Sequence, residues 1–175
     1  MFTPHNRRSI RFKDYDYSQS GLYFVTICTK NRSLLFGDIN DGKMELSEYG
    51  VYAEKCWKDI PLHFPNVILH KYVVMPNHIH GIIEIVGDNM RNNGYNMGAK
   101  NFSPLRPPQS TGTSRTIGSI VRGFKIGVTK EIGESPWQRN YHEHIIRDEN
   151  AYNTITEYIE QNPLKWELDC YYGNE

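Results

Sequence analysis

Two histidines one residue apart, His78 and His80, stand in the run Tyr72-Val-Val-Met-Pro-Asn-His-Ile-His-Gly-Ile-Ile-Glu84. On a β-strand alternate side chains point the same way, so both imidazoles face one side and can reach one ion. Ile79 between them points to the other face, as a core residue would. Tyr158 and Asn162 lie four apart in a helical pattern and so share a helix face. Two imidazoles and a carboxamide oxygen make a mixed N/O set that leaves positions open for phosphate oxygens. Such a set suits Mg²⁺ or Mn²⁺ better than a closed structural zinc site. With a phenol beside it, the chemistry is phosphodiester transesterification: the ion polarises the phosphate, and the tyrosine attacks to give a covalent intermediate. A free phenol has a pKa of about 10, so a neighbouring cation helps to form the phenolate. A phosphotyrosine bond keeps the reactivity of the bond it replaces, so a second strand can be joined without ATP.

The elements that must position these groups follow from pattern. Leu22 to Cys28 is a run of β-branched and aromatic residues and reads as a buried strand. Phe36 to Leu46 carries Asn40-Asp41-Gly42, a tight-turn signal within a small hairpin. Ser47 caps a helix in which Ala53, Cys56, Trp57 and Ile60 recur at helical spacing, ended by Pro61 and Pro65. Val67 to Met75 and His78 to Val86 form the central hairpin across Pro76-Asn77. On its second strand His78, His80, Ile82 and Glu84 share one face, and Ile79, Gly81, Ile83 and Ile85 the other.

Residues 87–113 are rich in Asn, Gly, Pro and Ser and read as a long flexible loop. Ile117, Ile120, Val121, Phe124, Val128 and Ile132 mark an amphipathic helix, with Arg115, Ser119, Arg122 and Lys130 on its other side. Trp137 to Ile146 reads as a strand. Asp148 then caps a helix carrying Ala151, Ile155, Tyr158, Ile159 and Asn162. Pro163 stops it and disfavours the α conformation at Asn162, which falls in the last turn or just past it.

A chain of 175 residues fits a single domain, here spanning 1–175 with a basic arm over about residues 1–20. Lys and Arg total 20 and so do Asp and Glu, so no global positive field demands nucleic acid. Arg7, Arg8, Arg11, Lys13, Lys30 and Arg32 nevertheless cluster near the start, which makes a local basic patch. The arm reads either as a solubilising tail or as a contact to phosphate and groove. Arg115, Arg122 and Lys130 are either a solvated helix face or the lining of a strand channel. Three scattered cysteines without a CxxC indicate neither a disulfide framework nor a zinc ribbon, and a reducing cytoplasm is the natural compartment. No apolar run has signal-peptide or membrane-span length.

Three ordered segments carry a family resemblance: Pro76-Asn-His-Ile-His-Gly81, Arg139-Asn-Tyr-His-Glu-His-Ile-Ile146 and Tyr158-Ile-Glu-Gln-Asn-Pro163. They resemble the small HUH single-tyrosine transposases, and most closely the branch of REP-associated tyrosine transposases, relatives of small single-strand insertion-sequence transposases. Arg7-Arg-Ser-Ile-Arg11 and Tyr23-Phe-Val-Thr-Ile-Cys-Thr-Lys-Asn-Arg32 are similar to that branch too, so the likeness spans nearly the whole chain apart from the loop after Gly87. It implies an α+β fold of the HUH endonuclease, ferredoxin-like kind, an antiparallel sheet with flanking helices. His78 and His80 become metal ligands, and Asn162 the third ligand, where some relatives have Gln. Tyr158 becomes the nucleophile that takes the 5′-phosphate and leaves a 3′-OH. The implied substrate is single-stranded DNA with a hairpin, cut near its foot by a monomer or homodimer using Mg²⁺ or Mn²⁺. The resemblance also admits a hairpin-binding protein without cleavage; the residues by themselves admit a phosphoesterase in which Tyr158 is structural.

Competing residues are few. A lone HxH is more often a surface or hydrogen-bonded pair, and the ordered Tyr158 and Asn162 are what favour the metal reading. His142-Glu143-His144 repeats the spacing, but its middle residue is charged, which favours a surface strand or a DNA contact. Tyr141 and Tyr152 stand behind Tyr158 as alternative nucleophiles, and Glu84 is either a neighbour of the site or an exposed carboxylate.

Overall fold

In a computed structural model, residues 20–86 and 116–172 are described. The expectations for Arg7, Arg8, Arg11, Arg115 and the 87–113 loop lie outside them. The chain runs through β1 (Gly21–Cys28), β2 (Gly37–Asn40), β3 (Lys43–Leu46), α1 (Glu48–Lys58), α2 (Ile60–His63), β4 (Val67–Met75), β5 (His78–Ile85), α3 (Ile117–Ile132), β6 (His142–Ile146) and α4 (Glu149–Gln161). Four strands form one sheet in the order β4-β5-β1-β6, with every neighbouring pair antiparallel. Taken with α1 and α3 this is the split β-α-β order of a ferredoxin-like fold, with α4 added. The β2–β3 hairpin forms a separate small ribbon. Its tight turn places both Asp41 (φ 50°) and Gly42 (φ 71°) in the left-handed region, as a two-residue hairpin of matching twist requires.

The sheet buries both faces, and the two faces differ. On one, Tyr23, Val25, Ile27, Ile79, Ile83 and Ile85 pack with Ala53 and Trp57 of α1 and with Ile120, Phe124 and Val128 of α3. Gly81 lets α1 approach closely, because a Cβ there would lie 2.2 Å from Trp57 Cζ2. On the other face Ile82 and Ile146 pack against Ile159 of α4, with Leu22, Phe24 and Val73 around them. The smaller second core leaves room on that face for polar groups. Among the described residues no helix is long and apolar enough to cross a membrane.

Local signals set most helix ends. Ser47 Oγ accepts from the Gly50 amide at 3.1 Å, and Asp148 Oδ1 from the Ala151 amide at 2.8 Å. Two expectations fail. Pro61 does not end a helix; α1 stops at Lys58 and Pro61 sits in the first turn of α2, where its missing N–H costs nothing. The strand expected from Trp137 begins only at His142. Before it, residues 135–141 touch the sheet through a single Thr29–Trp137 bridge, so their backbone bonds go elsewhere.

Candidate active site

The strand register assembles the site. Across β1 and β5 Thr26 pairs with His80 and Cys28 with His78, and opposed residues share a face. His78 and His80 therefore project to one face of the sheet, as their spacing predicts, and that face is the one α4 covers. Both are fully buried, and their rings lie 4.3 Å apart between centroids.

Each imidazole is oriented by a second group. His78 Nδ1 lies 2.8 Å from Asn77 Oδ1. The Asn77 amide nitrogen donates to Tyr171 O and Arg32 O, so its Oδ1 faces the ring. A carboxamide oxygen only accepts, so Nδ1 carries the proton and Nε2 keeps its lone pair. His80 Nδ1 lies 2.8 Å from Thr26 Oγ1. Burial, and secondarily the Arg32 charge, pushes the His78 pKa down from 6.5 to about 3. Burial also holds His80 well below its usual range, with His78 adding to the effect. Both rings are thus neutral at physiological pH, which is the state a metal needs.

From α4, Tyr158 Oη reaches His80 Nε2 at 3.1 Å and donates to Asp169 Oδ2 at 3.3 Å. Asn162 caps α4 and is buried. Its amide nitrogen donates to Asp169 Oδ2 at 2.7 Å, which turns its oxygen away from that carboxylate. Asn162 keeps helical angles (φ −57°, ψ −45°) despite preceding Pro163, so tertiary packing overrides the local bias that the sequence predicts. His78 Nε2 and Asn162 Oδ1 are buried without a hydrogen-bond partner. Two orphaned acceptors of this kind are costly unless something else binds them. An ion set among His78, His80 and Asp169 would satisfy the first, so these residues fit a divalent cation.

Asp169 is the residue that sequence reasoning missed. Ligand atoms of His78, His80 and Asp169 all lie within 4.8 Å of one another. Tyr171 was missed as well; its ring centroid lies 4.7 Å from that of His78, with the planes tilted by 40°. Both belong to a C-terminal stretch with no periodicity to flag it. The signal for Asn77 was present, in its adjacency to His78.

The other candidates are distributed as follows. His142 and His144 pair with Thr26 and Phe24 and so lie on the site's face of the sheet, both exposed. Tyr141 packs against the larger core on the opposite face. Tyr152 and Glu84 both bond to His70, at 3.1 and 2.8 Å. Arg122 is exposed on α3, across the sheet from the histidines.

No family model matches this sequence. An uncharacterized protein of Haemophilus influenzae is 48% identical over 178 residues, covering 96% of this chain and 94% of that protein. A candidate REP-associated tyrosine transposase of the same organism is 25% identical over 150 residues, covering 86% of this chain and 74% of that protein. The sequence is thus similar to that of a REP-associated tyrosine transposase. A solved structure of a REP-associated tyrosine transposase bound to a REP hairpin shares the fold, with a TM-score of 0.59 at 22% identity over 89% of this chain and 73% of that one. Within this family fold, α4 of the present chain carries Tyr158 and Asn162 onto the histidine face.

The neutral histidines carry a pH prediction. The unfolded chain takes up protons near pH 6.5 that the native site refuses, so stability is full above that pH and falls below it. At pH 5 His78 alone costs about 2 kcal/mol in ion-free protein. Thermal melts from pH 8 to 5 should show this decline, and His78→Asn should lessen it, leaving the part that His80 contributes.

Proposed function

We propose that the protein is a metal-dependent single-stranded DNA transposase that cuts and rejoins DNA near the foot of a hairpin through a 5′-phosphotyrosine intermediate. The observation that carries this reading is the approach of Tyr158 Oη to His80 Nε2, 3.1 Å apart, beside the buried His78 Nε2 that has no partner. The solved relative bound to a REP hairpin supports a hairpin as the partner. Mg²⁺ or Mn²⁺ held by His78, His80 and Asn162, with the Asp169 carboxylate in reach, would polarise the scissile phosphate and favour the phenolate.

Tyr158 Oη attacks phosphorus and loses its proton. The bond from phosphorus to the 3′ oxygen breaks, that oxygen gains a proton, and the 5′-phosphate stays on the tyrosine. Attack by another 3′-OH reverses the step and joins a new strand. Asp169 accepts from both Tyr158 and Asn162, so one carboxylate registers the nucleophile against the ligand on the same helix. We assign the work to the cytoplasm and to a monomer or homodimer. All three cysteines are free, as a reducing compartment would leave them.

One observation favours a hairpin-binding protein without cleavage. Burial and then the Asp169 charge push the Tyr158 phenol well above its usual pKa, which disfavours the phenolate. The two readings separate with a hairpin oligonucleotide labelled at its 3′ end, because the adduct keeps the 5′-phosphate side. A labelled adduct that survives denaturation, with Mg²⁺ or Mn²⁺ and not with chelator, is expected. Tight hairpin binding without adduct in either ion would leave the binding protein standing.

Arg7, Arg8, Arg11, Arg115 and Arg122 are assigned to DNA contact. Replacing the first three by Ala should weaken hairpin binding and reduce the slope of log affinity against log salt by roughly two. An unchanged slope in a filter-binding titration would remove the arm from the interface.

A further inference from the structure

A second concave site adjoins the histidines at the end of the sheet where β1 leaves it. It is a cleft of about 610 Å³. One wall is Lys30, Asn31 and Arg32, directly after β1; the other is Ser135, Gln138 and Arg139, with Trp137 between. Three cations and no carboxylate line it, on a chain of net charge zero. Among the described residues no carboxylate forms an ion pair with Lys30, Arg32 or Arg139. Lys30 and Arg139 are exposed.

The two walls are fixed to each other. Gln138 N donates to Cys28 O at 3.0 Å, and Lys30 N to Pro136 O at 2.6 Å. The part-buried Lys125 ammonium holds the far wall from beneath, donating to Gln138 O and Asn140 O at 2.8 and 3.0 Å. On the near wall Asn31 (φ 55°) and Arg32 (φ 51°) both adopt left-handed backbone, which costs roughly 1–2 kcal/mol per residue and is retained where surrounding structure holds it. The cleft also touches the ion site. Arg32 O accepts from the Asn77 amide that orients His78, and the Arg32 guanidinium lies 5.8 Å from the ring of Tyr171, which adjoins His78.

We propose that this cleft seats the phosphates of the single-stranded segment leading away from the scissile bond, with Lys30, Arg32 and Arg139 as the phosphate contacts. The inference rests on the transposase reading. A rigid cationic cleft suits one extended strand, because it follows a backbone without reading bases. Its abutment on the histidine site means that a strand lying in it enters that site end-on, so it acts on the flank and leaves the hairpin to other surfaces.

The test uses the full chain with Lys30→Ala and Arg139→Ala together, both exposed and outside the ion site. Two probes are compared, a hairpin with a single-stranded extension and the same hairpin without one. The variant should lose roughly tenfold in affinity for the extended probe, with the salt slope reduced by about 1.4. Its affinity for the bare hairpin should stay within about twofold, and Lys30→Arg with Arg139→Lys should restore binding. Equal losses on both probes, or no loss on either, would overturn the proposal. Adduct formation by the unaltered protein is scored in parallel. Adduct without a cleft effect rejects the cleft alone, whereas a cleft effect without adduct rejects only the catalytic reading.

Discussion

Tyr158→Phe should abolish the covalent protein–DNA adduct and reduce strand cleavage by at least about 10³-fold, while folding and hairpin binding persist. The substitution removes one oxygen. That oxygen bonds His80 Nε2 and Asp169 Oδ2, whereas the ring meets Phe24 edge-on at 6.2 Å and keeps that contact. Tyr158 is 41% exposed, so the loss leaves no cavity and costs stability little. Tyr158 is not among the proposed ligands, so the variant should bind divalent ions no worse than the unaltered protein. Adduct formation by the variant would disprove the assignment. Tyr141 would be a poor substitute, since it packs on the wrong face of the sheet, and Tyr152 is tied to His70.

Removing the two histidines should have an equally large effect and a different signature. His78→Ala with His80→Ala should abolish metal-dependent cleavage and also the rise in melting temperature that a divalent ion confers. At an ion concentration a hundred times Kd that rise is about 2.7 kcal/mol, or roughly 5–10 °C for a chain of this size. The Ala pair also weakens the fold: the side chains are 0% and 1% exposed, and truncating two such rings costs about 2 kcal/mol or more each. Asn at both positions is the better probe. It keeps a polar group near the place of Nδ1 for Asn77 and Thr26 and removes Nε2. Calorimetric titration with Mn²⁺ reads the result directly, and undiminished Mn²⁺ binding by the Asn pair would sink the assignment of these ligands.

Several features of the fold were legible because their causes are local. The hairpin across Pro76-Asn77, the caps at Ser47 and Asp148 and the apolar stripe of α3 all follow from residues a few positions apart. The errors arise where long-range contacts decide. Residues 135–141 have strand-like composition, yet Lys125 and the end of β1 claim their backbone groups. Asn162 is helical before a proline because its amide is held by Asp169.

For the candidate site, the sequence by itself determined that His78 and His80 share one strand face and that Tyr158 and Asn162 share one helix face, because strand and helix periods are backbone properties. It could not determine that those two faces meet. Only the tertiary structure decided that α4 packs on the histidine side of the sheet through Ile82, Ile146 and Ile159, while α1 and α3 take the other. The same packing brought Asp169 and Tyr171 onto the site from a tail without periodicity, and joined Lys30 and Arg32 to Arg139 across more than a hundred residues. The physical reason is that burial of apolar area is non-directional along the chain: it selects which surfaces join, and residues distant in sequence become neighbours only as a consequence.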